Sequence, residues 1–120
     1  MKTSELTGAA LDWAVAKAKG IELSNGCYNR LLVDGRMSAG QKMLTPYNPS
    51  TDWEQGGPII ERERISIEDC QDGAGLYWEA TRIEPPAVSE ARGPTPLIAV
   101  MRCYVISKLG DEVEVPNELA

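Results

Sequence analysis

Thr95-Pro96-Leu97-Ile98-Ala99-Val100-Met101-Arg102-Cys103-Tyr104-Val105-Ile106-Ser107-Lys108-Leu109-Gly110 is the stretch that decides the fold. Threonine accepts from the free amides of a first helical turn, proline suits the first helical position, and glycine follows the last. Leu97, Val100, Met101, Tyr104 and Val105 fall at i, i+3, i+4, i+7 and i+8, one stripe of a helix. Ile98, Ala99 and Ile106 make other faces apolar too, so the helix is expected to be buried on several sides. Apolar surface in excess of what one small layer covers marks an interface, and a homo-oligomer, dimer or tetramer, is expected on that ground.

A second helix is expected from Thr3 or Thr7 to Gly20. Leu6, Ala10, Trp13, Ala14 and Lys17 form its stripe, with Trp13 as the only large anchor on an alanine-rich face. Lys17 and Lys19 suit the last turn, and Gly20 suits the stop. Between the helices the signals are short. Strands are expected at about 27–33 and 42–46, with Asn25-Gly26 and Asp34-Gly35 as turns. Pro58 suits the first position of a short helix, after which Ile65 and Ile67 alternate as in a strand. Leu76–Ile83 reads as a strand closed by Pro85-Pro86, residues 84–93 as a polar loop, and Val113-Glu114-Val115 as a short terminal strand. The expected fold class is therefore α+β: one compact domain over residues 1–120, with an N-terminal helix, short antiparallel strands and a long buried C-terminal helix.

Composition narrows the functions. At 120 residues and 13.1 kDa, with 42% hydrophobic and 25% charged residues, the chain is an ordinary single globular domain. No run approaches the roughly 20 apolar residues of a membrane span, and no signal-peptide pattern opens the sequence. The expected setting is the cytoplasm. Twelve Lys and Arg against 18 Asp and Glu give a net charge of −6, which disfavours nucleic acid as a partner. Histidine is absent, excluding every His-based triad, metal site or proton relay. Cys27, Cys70 and Cys103 form no CxxC pair and are expected to be reduced thiols, with Cys103 in the core. No metal and no cofactor is expected.

Three motifs fall short of their chemistry. Gly35–Lys42 resembles a phosphate-cradling loop but carries Gln41 and Lys42 where lysine and a hydroxyl belong. Gly73-Ala74-Gly75 lacks the third glycine of a dinucleotide fingerprint. Asp52, Glu54, Glu61 and Glu63 offer carboxylates, yet Arg62 and Arg64 alternate with the last two and suit surface ion pairs. Asp52 is placed for turn chemistry beside Ser50 and Thr51. The chain is not expected to be an enzyme.

The stretch Tyr47-Asn48-Pro49-Ser50-Thr51-Asp52-Trp53-Glu54-Gln55-Gly56-Gly57-Pro58 is different in kind. Its prolines and paired glycines predict an irregular loop. Tyr47 and Trp53 offer stacking faces; Asn48, Ser50, Thr51, Asp52 and Gln55 offer donors and acceptors; Gly56 and Gly57 offer a hinge. Two readings stand: Trp53 plugs the core, or the loop lines a ligand or partner site. In the second reading Arg62, the helix start at Thr95 and, further on, Arg102 complete a pocket for a small anion.

Three strings resemble the NinX family of small tailed-phage proteins, a domain of unknown function carried in accessory gene regions. They are Thr7–Ala16; Tyr47–Trp53 running into Gly56–Glu63; and Gly93–Arg102 followed by Gly110–Val113 and Val115-Pro116. The resemblance implies a phage-encoded protein in the cytoplasm of an infected bacterium. It supplies no catalytic residues. The expected function is non-catalytic capture of a small polar or nucleotide-like anion, as in sequestering a host defence signal; the alternative is an adaptor that binds a host or phage protein.

Overall fold

A computed structural model describes residues 1–21, 24–25, 31–36, 42–116 and 119. A 3-10 turn at Thr3–Glu5 leads into helix α1 (Gly8–Lys19); strands β1 (Ser24–Asn25), β2 (Leu31–Arg36) and β3 (Lys42–Pro46) follow. Helix α2 (Trp53–Glu63), strands β4 (Ser66–Asp72), β5 (Gly75–Glu84) and β6 (Ala87–Gly93), and helix α3 (Pro96–Leu109) complete the order. Each trio of strands makes its own antiparallel sheet, β1-β2-β3 and β4-β5-β6. The α+β class stands, with a third helix that the loop reading of 47–58 left out.

Helix α3 is the axis of the molecule. Thr95 Oγ1 accepts from Ile98 N at 3.2 Å, Pro96 opens the helix, and Gly110 follows its last turn. Leu97 and every residue from Ala99 to Val105 are buried. The sheet β4-β5-β6, α1 and α2 all pack against it, so one chain covers the several apolar faces from which an oligomer was expected.

Helix α1 ends as expected at Gly20, whose φ of 76° is the left-handed cap that glycine adopts without strain. Its buried face is rotated from the expected one. Leu11, Ala14 and Val15 are fully enclosed, whereas Trp13 is half-buried at the edge with Lys17 Nζ 5.2 Å from its ring centre. Leu6, ahead of the helix, supplies the missing bulk.

Four expectations need correction. Residues 53–63 are helical through Gly56, Gly57 and Pro58. Asp52 Oδ1 caps the helix by accepting from Glu54 N at 3.0 Å, and Pro58 falls on its exposed side. The Glu54 carbonyl that Pro58 leaves without a helical donor belongs to an exposed residue. Residues 87–93 form β6, not a polar loop. Ala87, Ser89, Ala91 and Gly93 alternate on the face toward α3, and small residues there let the helix come close. A Cβ on Gly93 would lie 2.7 Å from Ala99 N. Asp34-Gly35 lies inside β2, paired with Leu44 and Met43, so it is not a turn. Val113–Val115 is not a strand: Lys2 and Glu112 make a single bridge, and Val113 exchanges main-chain bonds of 3.0 Å with Met1. Of the other expectations, 42–46 is β3; residues 27–30 and Gly26 lie outside the described residues.

The clasp between chain start and chain end is extensive. Thr3 N and Thr3 Oγ1 donate to Asp111 O and Gly110 O, both at 2.8 Å, and Arg102 Nε donates to Leu6 O at 2.9 Å. Thr3 and Leu6 are fully buried by it.

Candidate functional site

The stretch 47–58 is a structural knot. Gln55 reaches back across the start of α2: its Oε1 accepts from Asn48 N at 2.8 Å, and its Nε2 donates to Pro46 O at 2.9 Å and Asn48 Oδ1 at 3.1 Å. Thr51 Oγ1 donates to Asn48 O at 3.3 Å, and Ser50 N donates to Asp12 Oδ1 of α1 at 2.9 Å. Gly56 is the contact with α3, since a Cβ there would stand 2.6 Å from Leu97 Cδ2 and 2.7 Å from Pro49 O. The polar groups nominated for reading a ligand are thus largely engaged with one another. Trp53 does not plug the core; it is 55% exposed at the start of α2.

Behind this knot lies a buried polar cluster. Tyr47, Ser50 and Asp12 are all enclosed, and Tyr47 Oη and Ser50 Oγ have no hydrogen-bond partner among the described residues. Burial pushes the Asp12 carboxyl above its ordinary value, opposed by hydrogen bonding from Ser50. Burial, with the Asp12 charge nearby, pushes the Tyr47 phenol up to about 12.

Arg62 and Thr95 are likewise engaged. Arg62 Nε pairs with Glu63 Oε2 at 2.9 Å, and Glu63 Oε1 also meets Arg82 at 3.1 Å and Lys108 at 3.6 Å. Although burial would raise it, these three cations hold the Glu63 carboxyl below its ordinary value. The network staples α2 to β5 and α3. Cys103 donates its thiol to Ser89 O at 3.3 Å, and burial pushes it up to about 11. Cys70 is also unpaired, Cys27 lies outside the described residues, and so do residues 37–41 of the near-miss phosphate loop.

Arg102 stands apart from the other nominated residues. It sits on α3 away from the knot, and its guanidinium binds two main-chain carbonyls, Leu6 O at 2.9 Å and Arg92 O at 2.8 Å. It is 9% exposed and has no carboxylate partner among the described residues. Burial lowers its pKa, with no opposing pull from an acidic neighbour. An arginine buried without a counter-charge is unfavourable in a folded protein unless something answers it.

What lies beside it is a cleft of about 580 Å³, within the range of small-molecule sites. Ser4 of the 3-10 turn, the tip of the β4–β5 hairpin, and Tyr77, Glu79, Glu90 and Arg92 of β5 and β6 line it with Arg102. Tyr77, Glu79, Glu90 and Arg92 belong to the sheet face turned away from α3, opposite Trp78, Ala80 and Ala91. Arg92 lies 4.7 Å over the Tyr77 ring and 3.4 Å from Glu79 Oε2. Sequence reasoning missed all of these except Arg102. The available signal was an arginine set within the apolar run Leu97–Ile106, where only a buried or partnered charge is tolerated.

Residues 2–108 match the family model described as Bacteriophage P22, NinX. No curated protein matches the chain. Among solved structures, a phage protein from Bacillus cereus ATCC 14579, determined at 2.0 Å, is similar with a TM-score of 0.58 and 12% identity. The match covers 89% of this chain and 97% of that one, and at this identity it shows a shared fold. None of the helices described is long and apolar enough to cross a membrane.

Proposed function

The chain belongs to the phage NinX family, and from that premise we propose that it is a non-catalytic accessory protein that captures a small anion in the infected bacterium's cytoplasm. The observation that carries this reading is Arg102, buried, lining a cleft, and without a carboxylate partner among the described residues. An anionic group entering beside Ser4 and Arg102 would meet a charge-assisted donor already held in place by two carbonyls, so little ordering is needed on binding. Histidine is absent, and both described thiols lie above their ordinary pKa, which favours holding a ligand over transforming it. For a phage, capture without turnover would serve to withdraw a host defence signal; that step is analogy.

A ligand at a hundred times its Kd stabilises by about 2.7 kcal/mol, a shift of about 10 °C for a domain of this size. Thermal melts against a library of nucleotides and small anions should show such a shift, reduced about ten- to a hundred-fold in affinity by Arg102→Ala. Native mass spectrometry of protein purified from cells should show the same anion retained. A library without a single shift and a preparation free of retained mass would overturn the reading. The adaptor alternative rests on a separate observation: Leu76, Ile83, Val88 and Trp53 are 82%, 67%, 58% and 55% exposed. A stoichiometric protein partner whose binding is lost on Ile83→Asp would favour it.

A further inference from the structure

The charges along the cleft do not all remain open to a ligand. Arg92 faces Glu79 at 3.4 Å and lies over Tyr77, so this pair largely answers itself. Asp72 Oδ1 accepts from Ala74 N at 2.8 Å and holds the hairpin turn. Among the described residues three charges of the lining have no ionic partner: Arg102; Asp72, whose carboxylate keeps its charge while it holds the turn; and Glu90, which is exposed. Of the two acids Glu90 is the one not committed to the turn, and it lines the same cleft as Arg102 with the opposite sign. A polyanion drawn to Arg102 would be opposed by Glu90, with Glu79 and Asp72 nearby; a bare cation would be opposed by Arg102.

Resting on the capture reading, we propose that the ligand is a small zwitterion, with one anionic group seated on Arg102 and one ammonium group on Glu90. Specificity then comes from both ends. Molecules bearing only an anion leave Glu90 facing them unanswered, and those with several phosphates meet repulsion as well.

The probes are aminoalkyl phosphates of increasing chain length, each compared with the alkyl phosphate of equal length, titrated into the full chain by calorimetry. The best-fitting aminoalkyl phosphate should bind about tenfold more tightly than its alkyl counterpart, the size of one charge-assisted contact. Glu90→Gln should erase that advantage by weakening the aminoalkyl member of the pair alone. Glu90 is exposed, so the variant should fold with an unchanged melt. Equal binding of both series would overturn the zwitterion while leaving anion capture standing, as would an advantage that survives Glu90→Gln. Binding of neither series would overturn the capture reading and this inference with it.

Discussion

The knot at 47–58 and the cleft beside β6 hold similar inventories: an aromatic ring, hydroxyls, carboxylates and an arginine within reach. In the knot, Gln55 alone closes three hydrogen bonds, Asp52 caps a helix, and Ser50 is tied to Asp12. In the cleft, the buried Arg102 guanidinium and the exposed Glu90 carboxylate have no ion-pair partner among the described residues. Residue types alone do not make a site. A site is where the local backbone and neighbours leave those groups uncommitted.

The knot's structural role can be broken most severely at its contact with α3. Met101 is fully buried, and its Cε lies 3.6 Å from where a Cβ on Gly56 would stand. Met101→Asp should cost several kcal/mol, on the order of the domain's whole margin, and abolish cooperative unfolding in a thermal melt. An unchanged melting point would mean that α3 does not present this face to the core. Gly56→Ala should cost about 1–3 kcal/mol, because one of the atoms its Cβ meets is the Pro49 carbonyl, which cannot swing aside. Its neighbour Gly57 has nothing within 4 Å, and Gly57→Ala should gain about 0.5–1 kcal/mol in urea denaturation.

Tyr47→Phe removes a buried hydroxyl that has no partner among the described residues, and should gain about 1 kcal/mol at neutral pH. The phenol titrates at about 12 in the fold against an ordinary 10.0. Wild-type stability from this group is therefore intact below pH 10 and is lost as pH rises toward 12, because the unfolded chain gives up its proton first. The phenylalanine variant should lack that share of the alkaline decline. A loss of stability in Tyr47→Phe would reveal a partner for the hydroxyl. The smallest effect belongs to Trp53→Ala, below about 1 kcal/mol because the indole is more than half exposed. A sharp drop in its melting point would restore the core-plug reading.

The two terminal helices were legible because capping and periodicity agree there: Thr95, Pro96 and Gly110 bound one apolar run, and Gly20 stops another. β6 was not, because its inward residues are Ala87, Ser89, Ala91 and Gly93, selected for thinness against α3 and not for hydrophobicity. Helix α2 was hidden by Gly56-Gly57-Pro58, which local propensity reads as a break. There the close approach to Leu97 requires the glycine that the propensity scale penalises. Of the site, only Arg102 was visible in advance. Tyr77, Glu79, Glu90 and Arg92 gather by strand register, a relation between residues distant in sequence that no local pattern records.

The clasp that buries Thr3 and Leu6 also sets an order in time. Their partners are Gly110 O, Asp111 O and the Arg102 guanidinium, all supplied about a hundred residues later. At 5–20 residues per second on a ribosome, the opening segment stands without them for on the order of ten seconds. During that interval α1 can form its own turns, but Leu6 has no guanidinium on its carbonyl and Thr3 has no acceptor for its hydroxyl. A nascent chain halted before Gly110 would carry an undocked leading segment, open to proteolysis, whereas release of the next few residues lets that segment lock onto the end of α3.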